Sequence, residues 1–298
     1  MRVVIAGGSG LIGSWLAPDL ESRGMEVVRL VRRPQPAASD AEASWDPAAG
    51  RLDPGILEGA DAVVNLAGHS VGAGRWTART KALLSSSRLD STNTLVRALQ
   101  RCEAAPRLLI SASAVGYYGD RGDEALDESS AAGHGFLAEL AASWEREAER
   151  AGQAGVRVVL LRLGMVIARG GALARMLPAF RLGLGGPIGS GRQWWPWIAM
   201  EDVLGVIGHA LDSQGLSGPA NVVSPLQVRC REFVGTLGGV LRRPAFLPAP
   251  APVLRLLLGE MADGLLLASA RAKPAVLEAS GYAFRVPSLA EAIRRAID

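Results

Sequence analysis

Three glycines near the start of the chain have the spacing of a turn that binds phosphate. Gly7, Gly10 and Gly13 follow an apolar run at 3–5 and precede a stretch of helical character. In this context the first glycine permits a tight turn, the second lets backbone N–H groups approach a pyrophosphate, and the third lets helix pack on strand. The helix N-terminus adds partial positive charge. The sequence therefore predicts a dinucleotide site that includes Gly7, Gly10, Leu11, Ile12 and Gly13.

The end of the second expected strand, at 26–31, indicates which dinucleotide would bind. Proteins that bind NAD usually carry an acidic residue about 20 residues after the glycines, which holds the adenine ribose hydroxyls. This chain has Arg32 and Arg33 there and no carboxylate. Guanidinium groups bind phosphate through paired, charge-assisted hydrogen bonds, which favours the 2′-phosphate of NADP(H). Two solvated arginines at a strand end are the alternative.

Strand-like and helix-like segments alternate through the first half of the chain. This alternation predicts an α/β fold with a doubly wound, Rossmann-like parallel sheet and right-handed crossovers. Ligands bind such sheets beyond the carboxyl ends of the strands, where Gly7, Asn65, Ser111 and Arg162 converge. On the long helix expected at 76–100, Arg88 either reaches the cofactor or lies on a solvated face. Besides the glycine turn, we expect the cofactor to contact Asn65, Leu66, Ala67, Gly68, Arg88 and Ser111.

The second half of the chain changes character at a glycine-rich segment, 170–192. Because its glycines are dense, we predict that it forms no regular helix or strand and serves as a lid or loop over the site. Trp194, Trp195 and Trp197 follow, either as packing residues or as walls for a ring-bearing ligand. We expect a dinucleotide-binding domain over 1–225, which includes the lid, and a small C-terminal substrate lobe over 245–298.

Bulk composition narrows the class of protein further. With 298 residues, 49% hydrophobic content and a net charge of +3, the chain can bury a large core and has no basic run typical of nucleic-acid binding. Cys102 and Cys230 are far apart, which indicates a reducing compartment, and the three histidines have no metal-ligand spacing. We therefore expect a cytoplasmic protein that takes a small-molecule substrate, with no metal, nucleic-acid partner or membrane partner. The oligomeric state stays open.

Four motifs, in this order, resemble the extended short-chain dehydrogenase/reductase superfamily of nucleotide-sugar epimerases and dehydratases. They are AGGSGLIG at 6–13, NLAG at 65–68, SAS at 111–113 and LRLG at 161–164. Two further segments, FRLGLGGPIGSGRQ at 180–193 and GEMAD at 259–263, are similar to its poorly characterised "epimerase family" branch, which ends in a short C-terminal module. The resemblance covers essentially the whole chain and implies a nicotinamide cofactor.

The acid–base pair of that superfamily is absent from the sequence. Its members use Tyr-x-x-x-Lys on the helix after the fifth strand, where the lysine lowers the tyrosine pKa. The three tyrosines, Tyr117, Tyr118 and Tyr282, have no lysine four residues later. On the expected helix at 135–150, the matching positions hold Phe136 and Leu140 or, one residue on, Leu137 and Ala141. The resemblance therefore implies the cofactor without the usual mechanism.

Ser113, Tyr117 and Arg162 are the remaining candidates for catalysis. The resemblance places Ser113 and Tyr117 where the superfamily keeps a substrate-polarising hydroxyl and a nearby tyrosine. Tyr117 would donate a proton during hydride transfer if Arg121 or Arg162 supplies a cation beside it. Packing in the loop or stacking on nicotinamide is the alternative for Tyr117. Arg162, in an apolar strand, needs an anionic partner, which is either a ligand or an internal carboxylate.

Three functions are open on this sequence. The first is an NADP(H)-dependent oxidoreductase that acts on a small carbonyl or sugar-like substrate. The second is a protein that binds NADP(H) without turnover, so that the cofactor orders the lid for a partner. The third is a nucleotide-sugar epimerase with tightly held NAD, which the missing tyrosine–lysine pair and the two arginines at 32 and 33 both oppose.

Overall fold

A computed structural model describes residues 1–32 and 41–297 of the chain. The strands are β1 (Arg2–Ala6), β2 (Glu26–Val31), β3 (Glu42–Ser44), β4 (Ala62–Asn65), β5 (Leu108–Ala114), β6 (Ala125–Leu126), β7 (Arg157–Leu163), β8 (Met165–Ile167), β9 (Trp197–Ala199), β10 (Gly218–Val222) and β11 (Arg271–Ala272). The α-helices are α1 (Gly13–Ser22), α2 (Ala78–Leu99), α3 (Phe136–Glu149), α4 (Gly171–Arg181), α5 (Met200–Asp212), α6 (Cys230–Leu241), α7 (Ala251–Leu258), α8 (Ala275–Ala279) and α9 (Leu289–Ile297). A short 3₁₀ turn, Val115–Tyr118, follows β5.

Seven strands form one parallel sheet in the order β10-β7-β5-β4-β1-β2-β3. β1 lies between β2 and β4, so the chain winds outwards from β1 in both directions. The doubly wound, Rossmann-like fold predicted from the sequence is confirmed. In the strand register, Ala6 lies opposite Asn65, and Asn65 lies opposite Ser111. The strands on either side of the switch point thus end close together, where such sheets bind ligands.

Both faces of the sheet are buried, which explains the continuous apolar runs in its strands. Val3 and Ile5 share an apolar core with α1 and α5. The intervening residues, Val4 and Ala6, point to the opposite face and pack with α2 and α3. Each large side chain fully buried in this way stabilises the fold by about 1.5–3 kcal/mol relative to its exposed state. The result is a three-layer sandwich whose strand ends are held rigidly.

A second core gathers β8, β9, α4, α6 and α9 beyond the carboxyl edge of the sheet. Trp197 and Phe233 are fully buried in it, and Trp195 meets Phe233 edge-on with ring centroids 5.6 Å apart. β8 and β9 pair with each other as a separate two-stranded unit. This lobe positions α4 against the glycine-rich turn.

The expectation that 170–192 holds no regular helix is wrong for its first half. Residues Gly171–Arg181 form the three-turn helix α4. Leu173, Met176, Leu177 and Phe180 follow helical spacing and pack into the second core, and the dense glycines begin only at 183. Burial of this apolar stripe outweighs the low helix propensity of the glycines at its start.

A buried carboxylate fixes the end of the chain to α5. Asp202 is 2% exposed and accepts hydrogen bonds from the backbone N–H of Arg285 at 2.7 Å and of Val286 at 3.3 Å. The Tyr282 hydroxyl donates a third bond at 3.1 Å. A buried carboxylate that lost these donors would be strongly destabilising. The segment 282–286, which precedes α9, is therefore part of the packing of α5.

Candidate functional site

The glycine-rich turn lies directly after β1 and is shaped by its neighbours. Gly7 has φ +82°, and a Cβ there would lie 2.6 Å from the backbone carbon of Leu66. A Cβ on Gly13 would lie 2.3 Å from the Gly7 carbonyl oxygen. Neither position tolerates a side chain without movement of backbone. At Gly10 the corresponding distance to the same oxygen is 3.2 Å, so the space beside Gly10 is far less restricted by the protein itself.

The N-terminus of α1 and the lid both meet this turn. The Gly10 N–H donates to the Gly7 carbonyl at 3.0 Å, and Ile12 stands at the N-cap of α1 without a side-chain cap. The positive end of the α1 helix dipole therefore points at the turn. The Leu11 side chain lies under the start of α4, 2.9 Å from where a Cβ on Gly171 would be. Part of the predicted lid thus lies directly over the turn.

Asn65, at the end of β4, and Ser111, in the middle of β5, are register partners with both side chains buried. The Asn65 amide donates to Thr92 Oγ1 at 2.8 Å and accepts from the Ala67 N–H at 3.2 Å, so it shapes the loop of Leu66, Ala67 and Gly68 and anchors it to α2. Ser111 is fully buried, and its Oγ has no hydrogen-bond partner among the described residues. A buried hydroxyl without a partner is costly and points to a missing ligand or water.

Arg88 does not lie on a solvated face. Its guanidinium packs on Gly68, 3.3 Å from where a Cβ would be, and Nη1 donates to the Leu84 carbonyl at 3.1 Å. Desolvation by burial lowers its pKa to about 10. No carboxylate of the described residues forms an ion pair with Arg88. Most of the other arginines that are buried or half-buried do form one. A desolvated cation without an internal counterion is a candidate anion-binding group.

Of the two arginines expected to select the cofactor, only Arg32 lies within the described residues. Arg32 is exposed at the end of β2 and lines a hollow of about 540 Å³ together with Ser44 of β3 and Arg101. Arg33 lies outside the described residues. Sequence reasoning missed Arg29, whose side chain lies 3.5 Å from a Cβ position on Gly8 and pairs with Glu21 at 2.7 Å. Its place in the middle of a strand gave no signal of contact with the turn.

Ser113 and Arg162 join a buried network centred on Glu145 of α3. The two residues are register partners on β5 and β7. Arg162 donates to Glu145 through Nε at 2.9 Å and Nη2 at 2.8 Å, and Ser113 Oγ donates to the same carboxylate at 2.5 Å. Burial opposes the charge of Arg162, but the hydrogen bonds and charge of Glu145 outweigh it and raise the arginine pKa. The anionic partner that the sequence left open is therefore internal.

Tyr117 and Tyr118 differ sharply in their surroundings. Tyr118 is fully buried, donates to Asn221 Oδ1 at 2.7 Å and accepts from Arg162 Nη1 at 3.0 Å, and burial raises its pKa. Tyr117 is partly exposed, and its ring centroid lies 3.6 Å from the guanidinium carbon of Arg162. Among the described residues its hydroxyl has no hydrogen-bond partner. The cation beside Tyr117 is thus Arg162, whereas Arg121 pairs with Glu124 at 2.5 Å.

The start of α3, where the resemblance implies an acid–base pair, is apolar. Leu137 packs against Gly116 of the turn after β5, 3.3 Å from where a Cβ would be. Phe136 meets Trp76 edge-on at 5.4 Å, within a cluster that also contains Met261. The lysine Nζ of Lys81 lies 5.1 Å from the Phe136 ring and pairs with Glu260. The C-terminal segment thus packs on the entrance to α3.

Trp194 is enclosed by charged side chains of the protein. The guanidinium carbons of Arg229 and Arg271 lie 4.4 Å and 4.8 Å from its ring, and its indole N–H donates to Asp123 at 2.8 Å. Trp195 and Trp197 are buried core residues, 8% and 1% exposed.

Within residues 1–32 and 41–297, no His, Cys, Asp or Glu side chains cluster in a way that could hold a metal ion. No helix in the same ranges has the length and apolar character that crossing a bilayer requires.

A doubly wound parallel sheet with a glycine-rich turn at its switch point defines a dinucleotide-binding α/β protein. Residues 3–223 match the model of the NAD dependent epimerase/dehydratase family, and residues 249–296 match a domain of unknown function, DUF1731. The chain belongs to this epimerase/dehydratase family, which confirms the resemblance found in the sequence.

Relatives extend over nearly the whole chain. An "epimerase family protein" of Mycobacterium tuberculosis, MT2273, is 43% identical over 98% of this chain and 96% of its own length. YfhF of Bacillus subtilis is 35% identical over 100% of this chain and 98% of its own length. The crystal structure of human epimerase family protein SDR39U1 with NADPH superposes with a TM-score of 0.90, at 36% identity and 99% coverage of both chains.

Proposed function

We propose that the protein is an NADP(H)-dependent oxidoreductase that acts on a small carbonyl or sugar-like substrate. The observation that carries the proposal is Arg88, a desolvated cation without an internal counterion, placed on Gly68 beside the glycine turn. The human relative with NADPH bound supports the choice of cofactor. Family membership supports a nicotinamide chemistry but does not name a substrate.

The residues at the switch point fit such a cofactor. Gly10 leaves room for a pyrophosphate over the N-terminus of α1, whose backbone N–H groups would bind it. Arg88 would neutralise part of the pyrophosphate charge from the side of the Leu66–Gly68 loop, and Ser111 has a hydroxyl left over for a ligand or water. Arg32 stands at the end of β2, where the 2′-phosphate would lie.

The catalytic part of the proposal depends on Tyr117. When bound, NADPH supplies the hydride for reduction of a carbonyl. The alkoxide that results needs a proton, and the Tyr117 hydroxyl is the accessible donor, held over Arg162 at the turn after β5. Arg162 keeps its position through Glu145, which makes it a positioning residue. Ser113 is engaged with Glu145 and would have to exchange that bond to polarise a substrate.

Calorimetry on the intact protein tests the cofactor site. Replacement of Arg88 by Met removes one charge-assisted contact of about 1.5–3 kcal/mol, so NADPH affinity should fall by roughly ten- to a hundredfold. Because the proposal assigns Arg88 to the pyrophosphate, which both cofactors share, NADH affinity should fall by the same factor. Arg97→Met, an exposed arginine further along α2, is the control and should leave both affinities unchanged. Unaltered binding in Arg88→Met would remove this residue from the site.

A protein that binds NADP(H) without turnover is the second candidate. It is favoured by the engagement of Ser113 with Glu145 and by the apolar start of α3, because neither then offers a free proton donor beside Tyr117. A screen of aldehydes, ketones and sugar-like carbonyls with NADPH, followed at the absorbance of the reduced cofactor, separates the two. Oxidation of NADPH above that of a Gly10→Val variant supports the oxidoreductase; tight binding with no oxidation supports the binding protein.

A further inference from the structure

Protruding apolar side chains on the loops after α4 and α6 and on helix α7 have no role in the site at the switch point. Their exposed fractions are 75% for Leu182, 59% for Leu184, 71% for Phe246, 48% for Val253, 76% for Leu256 and 61% for Leu257. We name these six residues the apolar rim. Side chains exposed to this extent stand out from the surface and do not line a groove. Clusters of such residues mark contact with a partner or a membrane.

The two loops that carry the first three rim residues run side by side. The Leu247 N–H donates to the Gly185 carbonyl at 3.1 Å, and a Cβ on Gly183 would lie 3.3 Å from Pro244. Ala249 then pairs with Ile188, two residues before α7 begins. On α7, Val253, Leu256 and Leu257 have the spacing of one helical stripe, and no residue of this helix is fully buried.

Three arginines beside the apolar rim carry positive charge that no carboxylate of the described residues neutralises. Arg181 directly precedes Leu182, Arg242 and Arg243 lie within four residues of Phe246, and all three are exposed. In the part of the chain that the structure describes, none of them forms an ion pair with a carboxylate. The acidic neighbour Asp263 is paired with Arg255 at 2.9 Å. The surface therefore combines insertable apolar side chains with uncompensated positive charge.

We propose that the apolar rim docks this protein on an anionic lipid bilayer surface. Protruding leucine and phenylalanine side chains would enter the headgroup region, while Arg181, Arg242 and Arg243 bind lipid phosphates. A second copy of the chain fits less well, because a two-fold interface would gather these three arginines from both copies into one contact area, where their positive charges repel. The sequence-based expectation of no membrane partner depended on the lack of a spanning segment, which peripheral docking does not need.

Co-sedimentation with vesicles tests the proposal on the full chain. The protein should pellet with vesicles of phosphatidylcholine mixed with phosphatidylglycerol, and less with phosphatidylcholine alone. Binding should weaken as salt is added, since lipid charge contributes to it. No sedimentation with the mixed vesicles at low salt overturns the proposal.

Two paired variants assign the binding to the rim. Phe246→Ser with Leu256→Ser should lower the vesicle partition coefficient at least tenfold, because two large apolar side chains are lost from the bilayer. Arg242→Glu with Arg243→Glu should lower it by a similar factor only for the anionic vesicles. Leu226→Ser, 48% exposed after β10, and Arg97→Glu, exposed near the end of α2, are the matched controls and should bind as the wild type does.

Light scattering during gel filtration tests whether a second copy of the chain, and not a lipid bilayer, covers the apolar rim. If Phe246→Ser with Leu256→Ser turns a dimer into a monomer and vesicle binding is unchanged, the rim is an interface between copies and the lipid proposal is wrong. Unchanged melting temperatures show that the exposed substitutions leave the fold intact. None of these residues touches the switch point, so NADPH affinity should be the same in every variant, and the result is independent of the proposed function.

Discussion

The two halves of the carboxyl edge differ in whether their buried polar side chains have partners within the protein. Around the glycine turn, Arg88 has no internal counterion and Ser111 Oγ no hydrogen-bond partner among the described residues. Around β5 and β7, Ser113 and Arg162 both bind Glu145. Groups without partners carry a cost that a ligand can remove, whereas groups that satisfy one another stabilise the fold. The first half therefore has the character of a binding site, and the second that of a scaffold with one accessible hydroxyl, Tyr117.

The largest expected effect tests whether that hydroxyl makes the scaffold half catalytic. Loss of a positioned proton donor costs about 10²–10⁴ in rate, so Tyr117→Phe should lower turnover by that order with little change in NADPH affinity. Steady-state kinetics on the best carbonyl from the screen measures this. Tyr118→Phe, which loses the buried hydroxyl, is the comparison and should mainly lower stability. Wild-type turnover in Tyr117→Phe would leave the scaffold half without a catalytic role.

The buried ion pair should give the next largest effect, on stability. Glu145→Ala leaves Arg162 buried and unpaired, which should cost about 3–5 kcal/mol in the free energy of unfolding. Chemical denaturation measures it, with Glu149→Ala, exposed at the end of the same helix, expected to change it by no more than about 0.5 kcal/mol. If the two variants are equally stable, the network is not the structural element that its geometry indicates.

The glycine turn allows a test in which binding and folding separate. Gly10→Val brings a Cβ to 3.2 Å from the Gly7 carbonyl oxygen, a contact that a small shift relieves. The fold should therefore survive while NADPH affinity falls by on the order of a hundredfold, about 2.8 kcal/mol. Gly13→Val must displace the Gly7 carbonyl, from which its Cβ would be 2.3 Å away, and should lower the melting temperature. Retention of wild-type affinity by Gly10→Val would show that the pyrophosphate binds elsewhere.

The smallest effect concerns the choice between the two cofactors. Arg32→Ala should remove most of an approximately tenfold preference for NADPH over NADH, because one charged phosphate contact contributes on the order of 1.5 kcal/mol. NADH affinity should be nearly unchanged, in contrast to Arg88→Met, which lowers both. Arg101→Ala, an arginine in the same hollow, is the control. Equal affinity of the wild type for both cofactors would remove the basis for the assignment of Arg32.

Much of the fold could be predicted from local patterns. Strands buried on both faces appear as continuous apolar runs, and the glycine turn appears because φ and close packing demand glycine at 7 and 13. The helix α4 was hidden by the glycines that follow it, although its apolar spacing at 173, 176, 177 and 180 was present. The prediction gave more weight to the dense glycines than to the helical spacing of the apolar residues. In the fold, burial of those apolar residues decides the structure, and the helix forms.

The site was harder to predict because it depends on which face of a helix meets which strand. Arg162 was expected to need an anion, but only the packing of α3 on β5 and β7 selects Glu145 over the other acidic residues of that helix. Asn65 was expected at the cofactor, which stays a prediction; its side-chain bonds to Thr92 and the Ala67 N–H are contacts that the sequence did not indicate. The sheet topology predicts that these residues lie near one another at the carboxyl edge. It does not predict which partner each side chain binds.

The three bonds that Asp202 receives from the end of the chain have a consequence during synthesis on the ribosome. Val286 is 84 residues downstream, so at 5–20 residues per second its donor emerges roughly 4–17 seconds after Asp202. Until then the nascent helix α5 must keep this carboxylate in water and cannot settle fully onto the sheet. A premature stop codon shortly before residue 282 would therefore release a chain that contains every sheet strand and still fails to close its core.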